Sequence, residues 1–310
     1  MLSKDVLESV VFMYDGADAA MDPSHEDHSA GGTGWLVGMP WDTNPNWAHV
    51  YVVTSKHIIN NSKFPVVRVN RKNDEPDVFH FSNPDEWHIH ASADIAIHRI
   101  DLTQDHQFKY EGRNKFLTNE HIEKYAFGEG DSVYSVGRFV NFTGQQQNRP
   151  VVRFGRVAMM SPARINNEDL LLVEMRSRTG YSGSPVWIYI DPVASRWARG
   201  VENKMIDVGS PSIGPFLIGV HSIQLYGDGP NSDQNTKGAQ TGMTGVVPIQ
   251  KLEELLNMED VKNERDQAEK DNPPQGEYES VITETSQSDA KRDDVLKTML
   301  DTPPDPRKSG

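Results

Sequence analysis

A chain of 310 residues can hold one large domain or two modest ones, and with 36% hydrophobic and 25% charged residues it is more polar than a compact globule requires, so part of its length is expected outside the core. The formal net charge of −14 argues against nucleic acid as a partner, because phosphate binding needs clustered Lys and Arg. There is no Cys, so stability must come from packing without disulfides, and a reducing, cytoplasmic location is expected.

The N-terminal run MLSKDVLESVVFMY is broken by Asp5 and Glu8 and no small-residue cleavage site follows, so it does not read as a signal peptide. Nowhere do about 18 apolar residues run together, and no membrane partner is expected. From Asp5 to about Val247 the chain consists of short apolar or alternating runs separated by Gly, Pro, Asn and Asp: VLESVVFMY, GTGWLVG, HVYVVTS, VVRV, DIAIHRI, DSVYSVGRF, VVRFGRVAMM, LLLVEMR, SPVWIYI, PFLIGVHSI and TGVVPI. Strand-like runs with turn chemistry between them and no long helical period predict an all-β barrel or sandwich.

Pro248 then opens PIQKLEELLNM, where Ile249, Leu252, Leu255 and Leu256 recur at helical spacing, which predicts one short helix packed on the body. Residues 259–310 carry 14 acidic and 8 basic residues and two Pro-Pro pairs, and read as a largely disordered tail. Within it, Val295, Leu296, Met299 and Leu300 form a short amphipathic segment suited to the body or to a protein partner.

The residues that carry chemistry stand at the ends of such runs. In TGYSGSPVW, Ser182 lies between Gly180 and Gly183; a glycine two before a nucleophile lets the N–H groups of Gly180 and Ser182 converge on one oxygen. His57 ends the run HVYVVTSKH, and Asp94 precedes the alternating run DIAIHRI. Singly, each is an ordinary strand-end residue. Together they appear in the order His, Asp, Ser that supports a nucleophile, its base and the carboxylate that orients the base.

On these motifs the chain resembles the trypsin-like serine peptidases: T-S-K-H, A-D-I-A-I and G-Y-S-G-S-P stand where that family has T-A-x-H, D-I-A-L and G-D-S-G-G-P. The GTGWLVG and S-G-S-P-V motifs are closest in style to bacterial glutamyl endopeptidases and HtrA-type enzymes, although no PDZ-like domain follows. The resemblance covers about residues 8–257. It implies two packed six-stranded antiparallel β-barrels, about 1–125 and 126–258, with a terminal helix. It also implies a serine endopeptidase that forms an acyl-enzyme on Ser182, acts on protein or peptide substrates, and needs no cofactor or metal. Tyr181 stands where zymogen-activated relatives have an Asp, so an N-terminal ion-pair switch is not expected.

By the same resemblance, Ser222 bonds the triad Asp, and Ile223 and Gln224 form the edge that pairs with substrate backbone. His221 is placed to read Glu or Gln before the scissile bond, with Thr179, Arg176 and Arg178 in the adjoining loop. His88 and His90 would face one side of a strand, but no further metal ligands stand out, and the HEDH run at 25–28 reads as a solvated turn. The competing reading is a latent or inactive protease-fold module that binds or senses, which a flipped Thr179–Gly180 peptide would produce with the triad intact.

Overall fold

A computed structural model describes residues 3–81, 86–140, 147–165, 167–176, 179–190, 213–226 and 240–272. The first half supplies β1 (Val10–Asp15), β2 (Gly32–Pro40), β3 (Ala48–Thr54), β4 (Pro65–Asn70), β5 (Pro76–His80), β6 (His88–Ile89), β7 (Ala96–Arg99) and β8 (Glu111–Gly112). Seven of these pair antiparallel in the order β5-β4-β1-β2-β3-β7-β6, and β8 lies parallel to β2. Runs such as VVFMY do not alternate in polarity because this sheet is covered on both sides. Phe12, Tyr14, Trp35, Tyr51 and Val53 point into a core shared with the second half, whereas Val11, Met13, Leu36, Val50 and Val52 point into a core of the first half alone.

The second half is a closed six-stranded barrel of β9 (Ser132–Gly137), β10 (Val151–Ile165), β11 (Glu168–Glu174), β12 (Pro185–Ile190), β13 (Ile213–Tyr226) and β14 (Gln240–Pro248), ordered β10-β11-β14-β13-β12-β9. Val133, Leu171, Val173, Val186, Ile188 and Val246 belong to its own core, while Tyr134, Trp187, Leu217 and Val247 meet the first half. The chain therefore has the chymotrypsin-like double-barrel architecture. One detail differs from two equal barrels: the first half is an open sheet of eight strands, ending in the two-residue β6 at one edge, with the two-residue β8 off its path beside β2.

Short helices fill the connections: α1 (Lys4–Glu8), α2 (Ala17–Met21), α3 (Lys56–Asn60) and α4 (Asn119–Tyr125). The expected terminal helix is α5 (Ile249–Leu256), with Ile249, Leu252, Leu255 and Leu256 buried. The expectation of disorder from residue 259 onward needs correction, because α6 (Glu259–Asp271) continues the chain as a helix. The remainder of the tail, including the Val295–Leu300 segment and both Pro-Pro pairs, lies outside the described residues.

Polar contacts hold α6 to the first sheet. The buried Glu269 carboxylate accepts from the Asp42 N–H (3.1 Å), the Thr43 N–H (3.0 Å) and the Thr43 hydroxyl (2.7 Å), and bonds His49 Nε2 at 3.0 Å. His88 bridges Glu264 (3.0 Å) and Asp260 (3.4 Å), and His90 meets Glu254 of α5 at 2.9 Å. The two histidines weighed as metal ligands are thus engaged by carboxylates.

These pairs make the docking of α6 pH-dependent. The bond to Glu264 raises the pKa of His88 above its ordinary 6.5, so its contribution is fully present below that value and is lost as pH rises through the raised one. Glu264 is lowered by its bond to His88. Burial pushes Glu269 up, but its bonds from His49, Thr43 and Asp42 outweigh burial and hold it at about 2. Both carboxylates therefore stabilise above the ordinary Glu value of 4.5 and lose that contribution as pH falls through their depressed values. Thermal melts should show a plateau between these ranges. Glu269→Ala, which strands the donors of Asp42 and Thr43, should cost about 1–3 kcal/mol by urea denaturation.

Candidate active site

His57, Asp94 and Ser182 come from three separate elements. Thr54 closes β3, and Ser55, in extended conformation, precedes α3, whose second residue is His57. Asp94 occupies the turn before β7, and its buried carboxylate is a node of three bonds. Oδ1 accepts from the His57 N–H (2.8 Å), while Oδ2 takes His57 Nδ1 (2.7 Å) and the Ser222 hydroxyl (2.6 Å). Burial alone would raise the Asp94 pKa, but the bonds from His57 and Ser222 and the imidazole charge bring it below the ordinary carboxylate value. An ionised Asp94 accepts the Nδ1 proton, which leaves the Nε2 lone pair of His57 facing outward as a base.

The Ser182 loop is fixed from both halves. The Thr33 N–H donates to the Ser182 carbonyl (2.8 Å), and the Thr33 hydroxyl donates to the Gly180 carbonyl (2.6 Å) while accepting from the Arg138 N–H (2.8 Å). The Gly183 N–H donates to the His221 carbonyl (2.8 Å), and the Ser55 hydroxyl reaches the same oxygen at 3.1 Å. Gly183 has φ +88°, and a Cβ there would collide with the Thr33 carbonyl; Gly180 has φ +98°, and a Cβ there would approach the Arg138 carbonyl at 2.7 Å. Gly183 thus serves close approach of the first half, Gly180 that of the segment after β9, and both the left-handed turn. Among the described residues, neither the Gly180 nor the Ser182 N–H donates to a backbone carbonyl. Thr33 orients the peptide that lies between these two donors.

Ser182 and His57 both line a cleft of about 500 Å³, together with Thr179, Gly180, His221 and Gln224. The Ser182 hydroxyl donates to the Ser222 carbonyl at 3.4 Å, a long contact, and is not hydrogen-bonded to His57 in this conformation. His221 is buried, and burial lowers its pKa to about 4, so its ring is neutral near pH 7. Neither of its ring nitrogens, nor the buried Nε2 of Gln224, has a hydrogen-bond partner among the described residues. Tyr181 is buried and donates its hydroxyl to the Val151 carbonyl (2.7 Å), filling the position with an aromatic ring in place of an ion pair.

Other sequence-predicted residues fall elsewhere. Ser222 and Ile223 line a second pocket on the far side of His57. Arg176, two residues past the end of β11, is exposed and outside the cleft lining; its carbonyl accepts from Arg153, and Arg178 lies outside the described residues. Arg153, which no motif singles out, places its guanidinium 4.8 Å over the Tyr181 ring. His28, expected in a solvated turn, is buried in a single 3₁₀ turn with Nδ1 2.6 Å from the Ala19 carbonyl.

No family model matches the chain, and no curated protein is recognisably similar in sequence. Among solved structures, the chain is similar to the MamO protease domain from Magnetospirillum magneticum, at 17% identity over 83% of this chain and 100% of that one (TM-score 0.45). It is also similar to a serine endoprotease from Yersinia pestis, at 15% identity over 84% and 66% (TM-score 0.43), and to human heparin binding protein, at 12% over 90% and 98% (TM-score 0.44). These are distant likenesses, and the fold stands on the strand order and register of the chain itself.

The Thr33 hydroxyl offers a direct test of how the nucleophile loop is held. Thr33→Val keeps the side-chain shape but leaves the Gly180 carbonyl and the Arg138 N–H without it, and should destabilise the protein by about 1–3 kcal/mol in urea denaturation.

Proposed function

We propose that the protein is a serine endopeptidase. The observation that supports this most directly is the Asp94 carboxylate, bonded to both the backbone and the ring of His57, with Ser182 on the same cleft. His57 Nε2 takes the Ser182 proton as the hydroxyl attacks a peptide carbonyl, and the N–H groups of Gly180 and Ser182 receive the oxyanion. The imidazolium then gives the proton to the leaving amine, and water, deprotonated by the same ring, releases the acyl group from Ser182.

Preference for Gln or Glu before the scissile bond is part of this proposal. Its support is the set of unpartnered donors in the cleft: the neutral ring of His221 supplies one N–H, and Gln224 supplies its amide. A side-chain carbonyl or carboxylate accepts from both, whereas an apolar side chain would leave them desolvated and unpaired.

A second reading, a latent module, is favoured by one observation: the Ser182 hydroxyl is bonded to the Ser222 carbonyl. A fluorophosphonate probe separates the two. Label on Ser182, located by peptide mass spectrometry and missing from Ser182→Ala, is expected; folded protein that takes no label would support latency. Peptides with Gln or Glu at the cleaved position should be hydrolysed at least about tenfold faster in kcat/KM than those with Leu. A preference for Arg, Lys or aromatic residues would overturn the assignment of His221.

A further inference from the structure

We infer that Glu168 selects a basic side chain at the substrate residue preceding the one held over His221. This inference rests on the endopeptidase reading and extends it to a second subsite. The pocket of about 460 Å³ on the far side of His57 is lined by Glu168, Lys56, Asp94, Ile165, Leu170 and Ile223, among others. It shares His57 and Asn61 with the first cleft, so the two adjoin at His57.

A peptide lying extended through such a groove sends successive side chains to opposite sides. With one side chain over His221, its predecessor must turn to the other side, where this second pocket opens. Among the described residues, the segment of β13 past Val220 pairs with β14 alone, since the β12 register ends at Pro185↔Val220, so the other edge at residues 222–224 can take an added strand.

What the preceding side chain meets there is apolar on its flanks and negative at its end. Ile165, Leu170 and Ile223 supply walls for an aliphatic stem. Glu168, half-buried at the start of β11, forms no ion pair among the described residues. Burial and the nearby Asp94 charge both raise its pKa, opposed by Lys56, by a bond from the Asp94 backbone N–H and by His57. Asp94 is itself committed to His57 and Ser222. A lysine or arginine would lay its methylenes on the apolar walls and bring its cation to Glu168, relieving the repulsion between the two carboxylates. An acidic side chain at that position would add a third negative charge.

Binding is best read first in the Ser182→Ala protein, where affinity is measurable whether or not the chain turns substrate over. Fluorescent peptides with Gln at the cleaved position and Lys, Leu or Glu before it would be titrated by anisotropy, with and without Glu168→Gln. The Lys peptide should bind about 5- to 10-fold tighter than the Leu peptide at low ionic strength, with the Glu peptide weakest. Glu168→Gln should bring the Lys-to-Leu ratio to about one, and Glu168→Lys should reverse the order of the Lys and Glu peptides. Equal binding of the three peptides, no binding at all, or a ratio that survives Glu168→Gln would overturn the inference. Hydrolysis by the wild-type enzyme and labelling of Ser182 report separately on the endopeptidase reading. Cleavage without a lysine preference would sink this inference alone, whereas discrimination in binding without cleavage or labelling would sink only the other.

Discussion

A single buried carboxylate organises the site. Asp94 comes from the first half, yet its third bond is donated by Ser222 from the second, so its hydrogen bonds are complete only when the two halves meet. Removing a carboxylate from water is costly unless its lone pairs are filled, and here both oxygens accept hydrogen bonds, two of them from the residue whose tautomer they fix. The position of His57, and with it the direction of Nε2, follows from this arrangement. Interface packing and catalytic geometry are therefore one requirement.

The nucleophile loop shows the same dependence from the other side. Its carbonyls at Gly180 and Ser182 are bonded by Thr33 of β2, and its Gly183 N–H bonds a strand of the second barrel. A loop tied to one half alone could shift with any small change in the angle between halves. Tied to both, it reports that angle directly to Ser182. The specificity proposed for the two pockets uses the same divide, since His221 and Gln224 lie on β13 and Glu168 on β11, while His57, which lines both pockets, belongs to the first half.

The candidate triad was legible in the sequence because each member borders a recognisable apolar run and the glycines around Ser182 have no packing role that another residue would fill. The apolar strands were legible for the same reason, as was α5, whose four leucine and isoleucine positions are all buried. What escaped notice lacks that signal. Strand β5 buries none of its residues fully, and β6 and β8 have two residues each. Helix α4 announces itself only through a capping box between Thr118 and His121. Helix α6 has Val261 and Ala268 as its buried apolar residues and is recognised by histidines far off in sequence, so its charged composition reads as a tail. Glu168 is one carboxylate in an acidic chain, and only its place beside Asp94 distinguishes it.

The bond between His49 and Glu269 joins residues 220 positions apart. During synthesis, the first sheet leaves the ribosome with His49 and the amides of Asp42 and Thr43 facing a partner that does not yet exist. Their pairing waits until the whole double barrel has been translated. A nascent chain therefore cannot complete the contacts of its first half until its second half and α6 have been made.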